Sequence, residues 1–213
     1  MTARPAQEQV LAAHDESGLT IATNVVAGAF YGLQATEWLV EKEQERTRRL
    51  QAVFRIDIEH AEQHGQVQLL DRARVDDGSR DAGIGAAVWV DRTGDVAQPP
   101  NFEARLRAAA GPYADRFLHL GELLDKHHPT DPHHHLAFLA AVPQGMGIGS
   151  SLLRHHHAYL DVHGIAAYLE ASSPESAKLY QRWGYRPVGS PFDLPNGALF
   201  YPMWRDPKAG DPA

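Results

Sequence analysis

The passage from Leu136 to His163 restricts this chain more than any other. Leu136-Ala137-Phe138-Leu139-Ala140-Ala141-Val142 is an unbroken apolar run closed by Pro143, and Gln144-Gly145-Met146-Gly147-Ile148-Gly149-Ser150 follows at once. A short apolar run ending at a breaker reads as a buried strand. Ile148, Leu152, Leu153, His156, Tyr159 and Leu160 then recur at helical spacing to about His163, with Gly164 beyond. The glycine-rich turn therefore opens an amphipathic helix. A helix N-terminus exposes unpaired N–H groups and favours negative charge, and glycines let a bulky anion approach that backbone. Chemically this is a seat for a diphosphate, and the same residues also make an ordinary strand-to-helix turn without a ligand.

Two nucleotide-binding alternatives can be weighed. A Walker-type loop needs lysine and then serine or threonine after its last glycine, whereas Ser150-Ser151-Leu152 follows Gly149. A dinucleotide fingerprint places an acidic residue about twenty positions on, and Glu170 meets that spacing. The loop comes too late in the chain, however, to leave sequence for a doubly wound sheet.

The rest of the chain sets the frame. With 213 residues, 43% of them hydrophobic, one domain over 1–213 is expected, with Met1 to Gln9 and the last few residues loose. No long apolar run and no basic-then-apolar leader is present, which predicts a soluble cytoplasmic protein with no membrane partner. Without cysteine there is no disulfide, thiolate nucleophile or cysteine-ligated zinc. A net charge of -7 without a basic cluster opposes nucleic-acid binding and suits an amine substrate.

Along the chain, Val10 to Ala13 reads as an edge strand before a turn at His14 to Gly18. Helices are expected from Leu19 to about Gly32 and from about Glu41 to Gln63, the second with Gly65 as its stop and Asp57 as the single polar intruder in its apolar stripe. Gln66 to Leu70 and Ala82 to Val90 read as antiparallel strands joined by a mobile polar connection. Two helices, Phe102 to Ala110 and Tyr113 to Asp125, are broken by Gly111-Pro112. After the glycine-rich helix come a strand from Ile165 to Glu170 and the sequence Ala171-Ser172-Ser173-Pro174-Glu175-Ser176-Ala177-Lys178-Leu179-Tyr180-Gln181-Arg182-Trp183-Gly184-Tyr185.

Gln-x-x-Gly-x-Gly followed at this interval by Leu-Tyr-x-x-x-Gly-aromatic resembles the cofactor-binding core of GCN5-related N-acetyltransferases (GNAT), over about 135–188. Leu-Glu-Ala-Ser-Ser-Pro, the Gly-Ala-Ala-Val-Trp-Val strand and the helical N-terminal half resemble the branch containing puromycin-type antibiotic N-acetyltransferases. The resemblance implies an α/β fold, a mixed twisted sheet flanked by helices, with acetyl-CoA in a split between the central strands. It implies acetyl transfer to the amine of a small molecule, an antibiotic-like amine included, and leaves room for a homodimer. An idle CoA-binding sensor on the same fold is the alternative.

By that resemblance, backbone groups of Leu139, Ala140, Ala141 and Val142 meet pantetheine, and Gln144, Gly145, Met146, Gly147, Ile148, Gly149 and Ser150 hold the pyrophosphate. Ser173 and Ser176 are further cofactor candidates, and both fit a simple helix cap. Tyr180 is the expected general acid toward the departing thiolate, since a phenol stays protonated at neutral pH. Glu170 is the candidate base for the amine. The chain departs from the family pattern at Met146, where a basic residue is common, at Ser173, where asparagine is common, and in a shorter turn between Val142 and Gln144.

No metal is required by this chemistry. Of the histidine runs, His155 to His157 point in different directions on a helix and are expected to be solvated at the surface, while His133 and His135 share one side of a strand. His135 is placed near the acceptor site, where it could assist deprotonation, and Tyr31, Trp38 and Trp89 are candidate aromatic walls.

Overall fold

The computed structural model describes residues 9–72 and 82–208, so the expected mobile connection and the loose termini lie for the most part outside the described residues. The elements are β1 (Leu11–Ala12), α1 (Glu16–Phe30), α2 (Gln34–Leu39), α3 (Glu43–His64), β2 (Gly65–Arg72), β3 (Gly83–Arg92), α4 (Phe102–Ala110), α5 (Ala114–His127), β4 (His133–Val142), α6 (Ile148–His163), β5 (Ala166–Ala171), α7 (Pro174–Arg182), β6 (Arg186–Pro187), β7 (Phe192–Asp193) and β8 (Leu199–Arg205). A 3-10 turn, Gly111–Tyr113, joins α4 to α5.

The sheet runs β1-β2-β3-β4-β5-β8-β6, with β7 paired to β8. Every pairing is antiparallel except β4 with β5, which are parallel. That one parallel pair needs a crossover, and α6 supplies it. Helices cover both faces, as expected for the mixed α/β architecture. On one face α1, α3, α4 and α5 bury Val26, Leu50, Phe54 and Ile58 against Ala86 and Val88. On the other, α6 and α7 bury Leu152, Leu153, Leu160 and Tyr180 against Ala87, Trp89 and Leu169.

Several boundaries differ from the sequence expectation for local reasons. His14 to Gly18 is the start of α1 rather than a free turn: Asp15 caps it, accepting the Gly18 N–H at 2.7 Å. The short α2 went unpredicted because six residues with only Ala35, Thr36 and Leu39 buried carry no readable period. Gly65 ends α3 in extended geometry (φ 178), not in the left-handed form of a helix stop. Its requirement is close approach, since a Cβ there would meet the Trp89 carbonyl oxygen at 2.1 Å.

Two irregularities build the site. β4 pairs with β5 only from His133 to His135, against Ala166 to Tyr168. Beyond that point β4 stays with β3 as far as Val142 while β5 follows β8, so the two central strands part. The register between β3 and β4 also shifts, Val88 facing Phe138 and Trp89 facing Leu136, which leaves Ala137 as a bulge. In consequence Ala137 and Phe138 both turn toward the α1–α3 face. None of the helices described is long and apolar enough to cross a membrane.

Candidate active site

The split between β4 and β5 has three walls: an open strand edge, a helix terminus and a pair of side-chain clusters on opposite faces of the sheet. Leu139, Ala140, Ala141 and Val142 lie on the edge that β5 has left, and backbone groups on such an edge need a partner. Gln144, Gly145 and Met146 form the turn, Gly147 stands at the N-cap of α6, and Ile148, Gly149 and Ser150 make its first turn. Gly145 and Gly147 take φ of 83 and 75, left-handed geometry that side-chain-bearing residues avoid. Among the described residues no side chain caps α6, and its first backbone bond to the N-cap carbonyl is that of Ser151, which leaves the Ile148, Gly149 and Ser150 N–H groups directed out of the helix. The sequence reading missed Arg72, whose guanidinium on β2 donates to the Met146 carbonyl. It brings positive charge to the loop where Met146 does not.

Glu170 sits two residues past the last parallel pair, on the edge of the split. Strand alternation sends Leu169 and Ala171 into the α6–α7 core and Glu170 the other way, toward the histidines. Its side chain is 6% exposed, and Oε2 lies 2.9 Å from His135 Nε2. His128, at the end of α5, was not anticipated. Its Nδ1 stands 3.9 Å from Glu170 Oε1, an oxygen with no hydrogen-bond partner among the described residues.

The proton positions in this cluster follow from the carbonyl that anchors it. His133 Nδ1 lies 2.7 Å from the Asp131 carbonyl oxygen, so this nitrogen carries the proton and donates. Neutral His133 then has only Nε2 to accept with, and His128 Nε2, 3.1 Å away, must donate to it. His128 Nδ1 is therefore a lone pair facing an unpartnered carboxylate oxygen. Burial, followed by the neighbouring His135 and Arg92, holds the His128 imidazole neutral, down at about 2, and burial keeps His133 down at about 4. Below His135, the α3 intruder Asp57 is pushed up to about 7 by desolvation, which outweighs the pull of His135 and Arg105.

Tyr180 approaches from the opposite face. It is buried on α7 beside Leu169 and Ala171, its ring edge-on to Tyr185 at 5.7 Å. Desolvation raises its phenol above the ordinary value, so it is protonated throughout the neutral range. Ser173 and Ser176 are occupied with capping α7: Ser173 Oγ accepts the Ser176 N–H at 3.1 Å, and Ser176 Oγ accepts the Ser173 N–H at 3.1 Å.

The aromatic candidates separate. Trp89 is fully buried on the α6 face, stacked on His156 at 4.0 Å, so it belongs to the core on the side of the sheet away from Glu170 and His135; the odd–even alternation of β3 decides this. Tyr31 is turned to α3, its hydroxyl 3.3 Å from Glu43 Oε1 and its ring under Arg46. Trp38 is half-buried between α2 and α5, with Arg116 over its ring. A cluster the sequence reading overlooked, Phe30, Phe54 and Phe138, fills the face toward which Glu170 points, with centroids 4.9 to 5.9 Å apart. The expected surface histidines are also corrected: His155 is exposed, but His156 and His157 are buried at 0% and 4%.

Comparison with known proteins agrees with this geometry. Residues 120–206 match the family model of the acetyltransferase (GNAT) domain. Among solved structures, a histone acetyltransferase HPA2 and related acetyltransferase from Corynebacterium glutamicum superposes with a TM-score of 0.67 at 27% identity, covering 95% of this chain and 98% of that one. An agmatine N-acetyltransferase aligns with a TM-score of 0.54 at 14% identity, over 93% of this chain and 100% of that one. A mosquito arylalkylamine N-acetyltransferase like 5b gives 0.51 at 16%, again over 93% and 100%. At those lower identities the last two speak for the fold. The parting of β4 from β5 and the glycine-rich terminus of α6 both lie within residues 120–206, the stretch that is similar to the acetyltransferase (GNAT) domain.

Proposed function

We propose that this chain is an acetyl-CoA-dependent N-acetyltransferase that transfers acetyl directly to the amine of a small molecule. The observation that carries the proposal is the placement of Glu170 with His135 on one face of the split and Tyr180 on the other. A base and an acid on opposite sides of one opening are what a direct transfer requires.

When bound, acetyl-CoA supplies a thioester. The residues present fit it: the free edge from Leu139 to Val142 can pair with the amide-bearing pantetheine arm, and the Ile148, Gly149 and Ser150 N–H groups, with Arg72 nearby, suit the pyrophosphate. On the acceptor side, Glu170 takes a proton from the ammonium form of the substrate, with His135 holding its other oxygen. The neutral nitrogen would then attack the thioester carbonyl carbon and the C–S bond would break as Tyr180 gives its hydroxyl proton to the leaving sulfur; the proton shed by the new amide nitrogen would restore the Tyr180 phenol, and Glu170 would release its proton to solvent. No acyl-enzyme is needed. The Phe30, Phe54 and Phe138 cluster favours an amine that carries an apolar group.

The test is calorimetric titration with acetyl-CoA, followed by thiol release over an amine panel that includes arylalkylamines, agmatine and puromycin. Saturable binding with amine-dependent release is expected, and Tyr180→Phe should keep the binding while lowering kcat by about 10- to 100-fold. Binding without release would favour a CoA sensor, and absence of binding would end the proposal.

A further inference from the structure

We propose that His128, His135 and Glu170 form a binding site for one divalent transition-metal ion of the zinc type. Their ligand atoms lie within 4.8 Å of one another. Among the described residues Glu170 Oε1 is buried with no hydrogen bond of normal geometry; the Tyr168 hydroxyl, which donates to the His127 carbonyl at 3.3 Å, interacts with the same carboxylate, and the His128 Nδ1 lone pair faces Oε1 at 3.9 Å, so two acceptors confront each other where a positive centre would serve both. Two imidazoles and one carboxylate are a common ligand set of zinc sites that keep a fourth position open, and they select zinc or cobalt over calcium or magnesium. Bond lengths of about 2.0–2.2 Å require the three side chains to draw together by about an ångström, a small rotation for groups at a strand edge and a helix end.

The surroundings already resemble those of a ligand shell. A metal-bound histidine typically donates its other ring N–H to a fixed acceptor, and His128 Nε2 donates to His133 Nε2, itself anchored on the Asp131 carbonyl. The proton now shared by His135 Nε2 and Glu170 Oε2 is the one an ion would replace. The side chains are 14%, 15% and 6% exposed, enclosed yet reachable from the split. If Glu170 also accepts the substrate proton as proposed above, ion and turnover exclude each other; the binding itself does not depend on that function.

The experiment is titration of the full, tag-free chain with CoCl2 and ZnCl2, without acetyl-CoA or amine, read by cobalt visible absorption, calorimetry and melting temperature. One ion per chain with a tetrahedral-type cobalt spectrum and a zinc-dependent rise in Tm is expected. His128→Gln and Glu170→Gln, each checked for folding by circular dichroism, should weaken binding at least about 10-fold. His60→Gln, which disrupts the neighbouring pair of rings on α3 at 4.7 Å, should leave it unchanged. Failure of the wild-type chain to bind, or binding lost with His60→Gln and retained in the other two variants, would overturn the site.

Discussion

The two faces of the sheet carry histidines from the same three residues of β4, and they use them differently. On the α6 face the Gln68 amide donates to His156 Nδ1 at 3.0 Å, which leaves His156 Nε2–H to donate to His134 Nδ1 at 3.1 Å. His134 Nε2–H is then directed at Asp91, 3.6 Å away. Its two hydrogen bonds each pair a donor with an acceptor, and His134 Nε2, which makes no hydrogen bond among the described residues, turns its proton toward a carboxylate. On the α5 face the sequence from Asp131 through His133 and His128 ends with a lone pair against a carboxylate oxygen. A complementary chain of hydrogen bonds fixes a core, whereas a mismatched one marks where something from outside is to be received.

The largest effect should come from breaking the mismatched end. Glu170→Gln removes the proton acceptor while keeping the shape, and kcat at pH 7 should fall by about 1,000-fold, within the range of general-base catalysis. Affinity for acetyl-CoA should stay within about threefold of wild type, because the helix terminus and strand edge are untouched. His156→Gln, across the sheet, should alter stability and leave kcat within a few-fold. Steady-state kinetics on the two variants checks this. Equal losses of kcat would erase the functional distinction between the faces.

Acid titration reads the buried histidines of the α6 face next. Burial holds His156 down at about 2 and His157 at about 3, while in the unfolded chain both titrate near 6.5. Above 6.5 neither state is protonated and their contribution is complete. As pH falls below 6.5 the unfolded chain takes up protons the folded one refuses, and stability declines until the folded values are reached. Each histidine contributes a slope of about 1.4 kcal/mol per pH unit, so the pair should cost about 3 kcal/mol per unit near pH 5. Urea melts between pH 7 and 5 measure it, and the double variant His156→Gln, His157→Gln should make that limb shallower by this amount, leaving the part due to the likewise depressed His128 and His133.

Asp57 acts in the opposite sense. Its folded value of about 7 lies above the ordinary 3.8, so stability is full below 3.8 and is lost as pH rises through 7. Asp57→Asn should therefore stabilise the protein at pH 8 by about 2 kcal/mol and give no gain at pH 4. An unchanged difference between the two pH values would show that Asp57 is solvated.

Most of the fold was legible because its strongest signals are local. The run from Leu136 to Val142, the glycines after it and the periodic residues of α6 each report their own conformation, and Ser173-Pro174 announces α7. Glu170 and Tyr180 could be named from the motif around them, and the bulge at Ala137 could not, since one extra residue in a ladder leaves no trace in an apolar run. His128 was hidden for a similar reason. It follows α5 in what reads as a loop, and only the return of the chain in β5, after β4 and α6, brings Glu170 beside it. The histidines were misjudged through their polarity: neutral imidazoles stacked on Trp89 or bonded to Tyr185 can be core residues, but their partners come from β2, β3 and the segment after α7. Asp57 was visible as an intruder in the stripe, with its meaning supplied by a strand distant in sequence.

The smallest prediction concerns Ser173, for which helix capping and cofactor contact were both open. The cap is in place, with Ser173 and Ser176 each accepting the other's backbone N–H. Ser173→Ala should cost about 1 kcal/mol of stability, the usual loss for an N-cap serine. It should leave acetyl-CoA affinity unchanged, since the remaining cofactor surface is backbone and helix terminus. Denaturant melts and calorimetry on the same variant read the two quantities separately. A weakened affinity with unchanged stability would move Ser173 from the closed polar structure of the α7 face into the binding surface, and the two faces would then differ less than their hydrogen bonds imply.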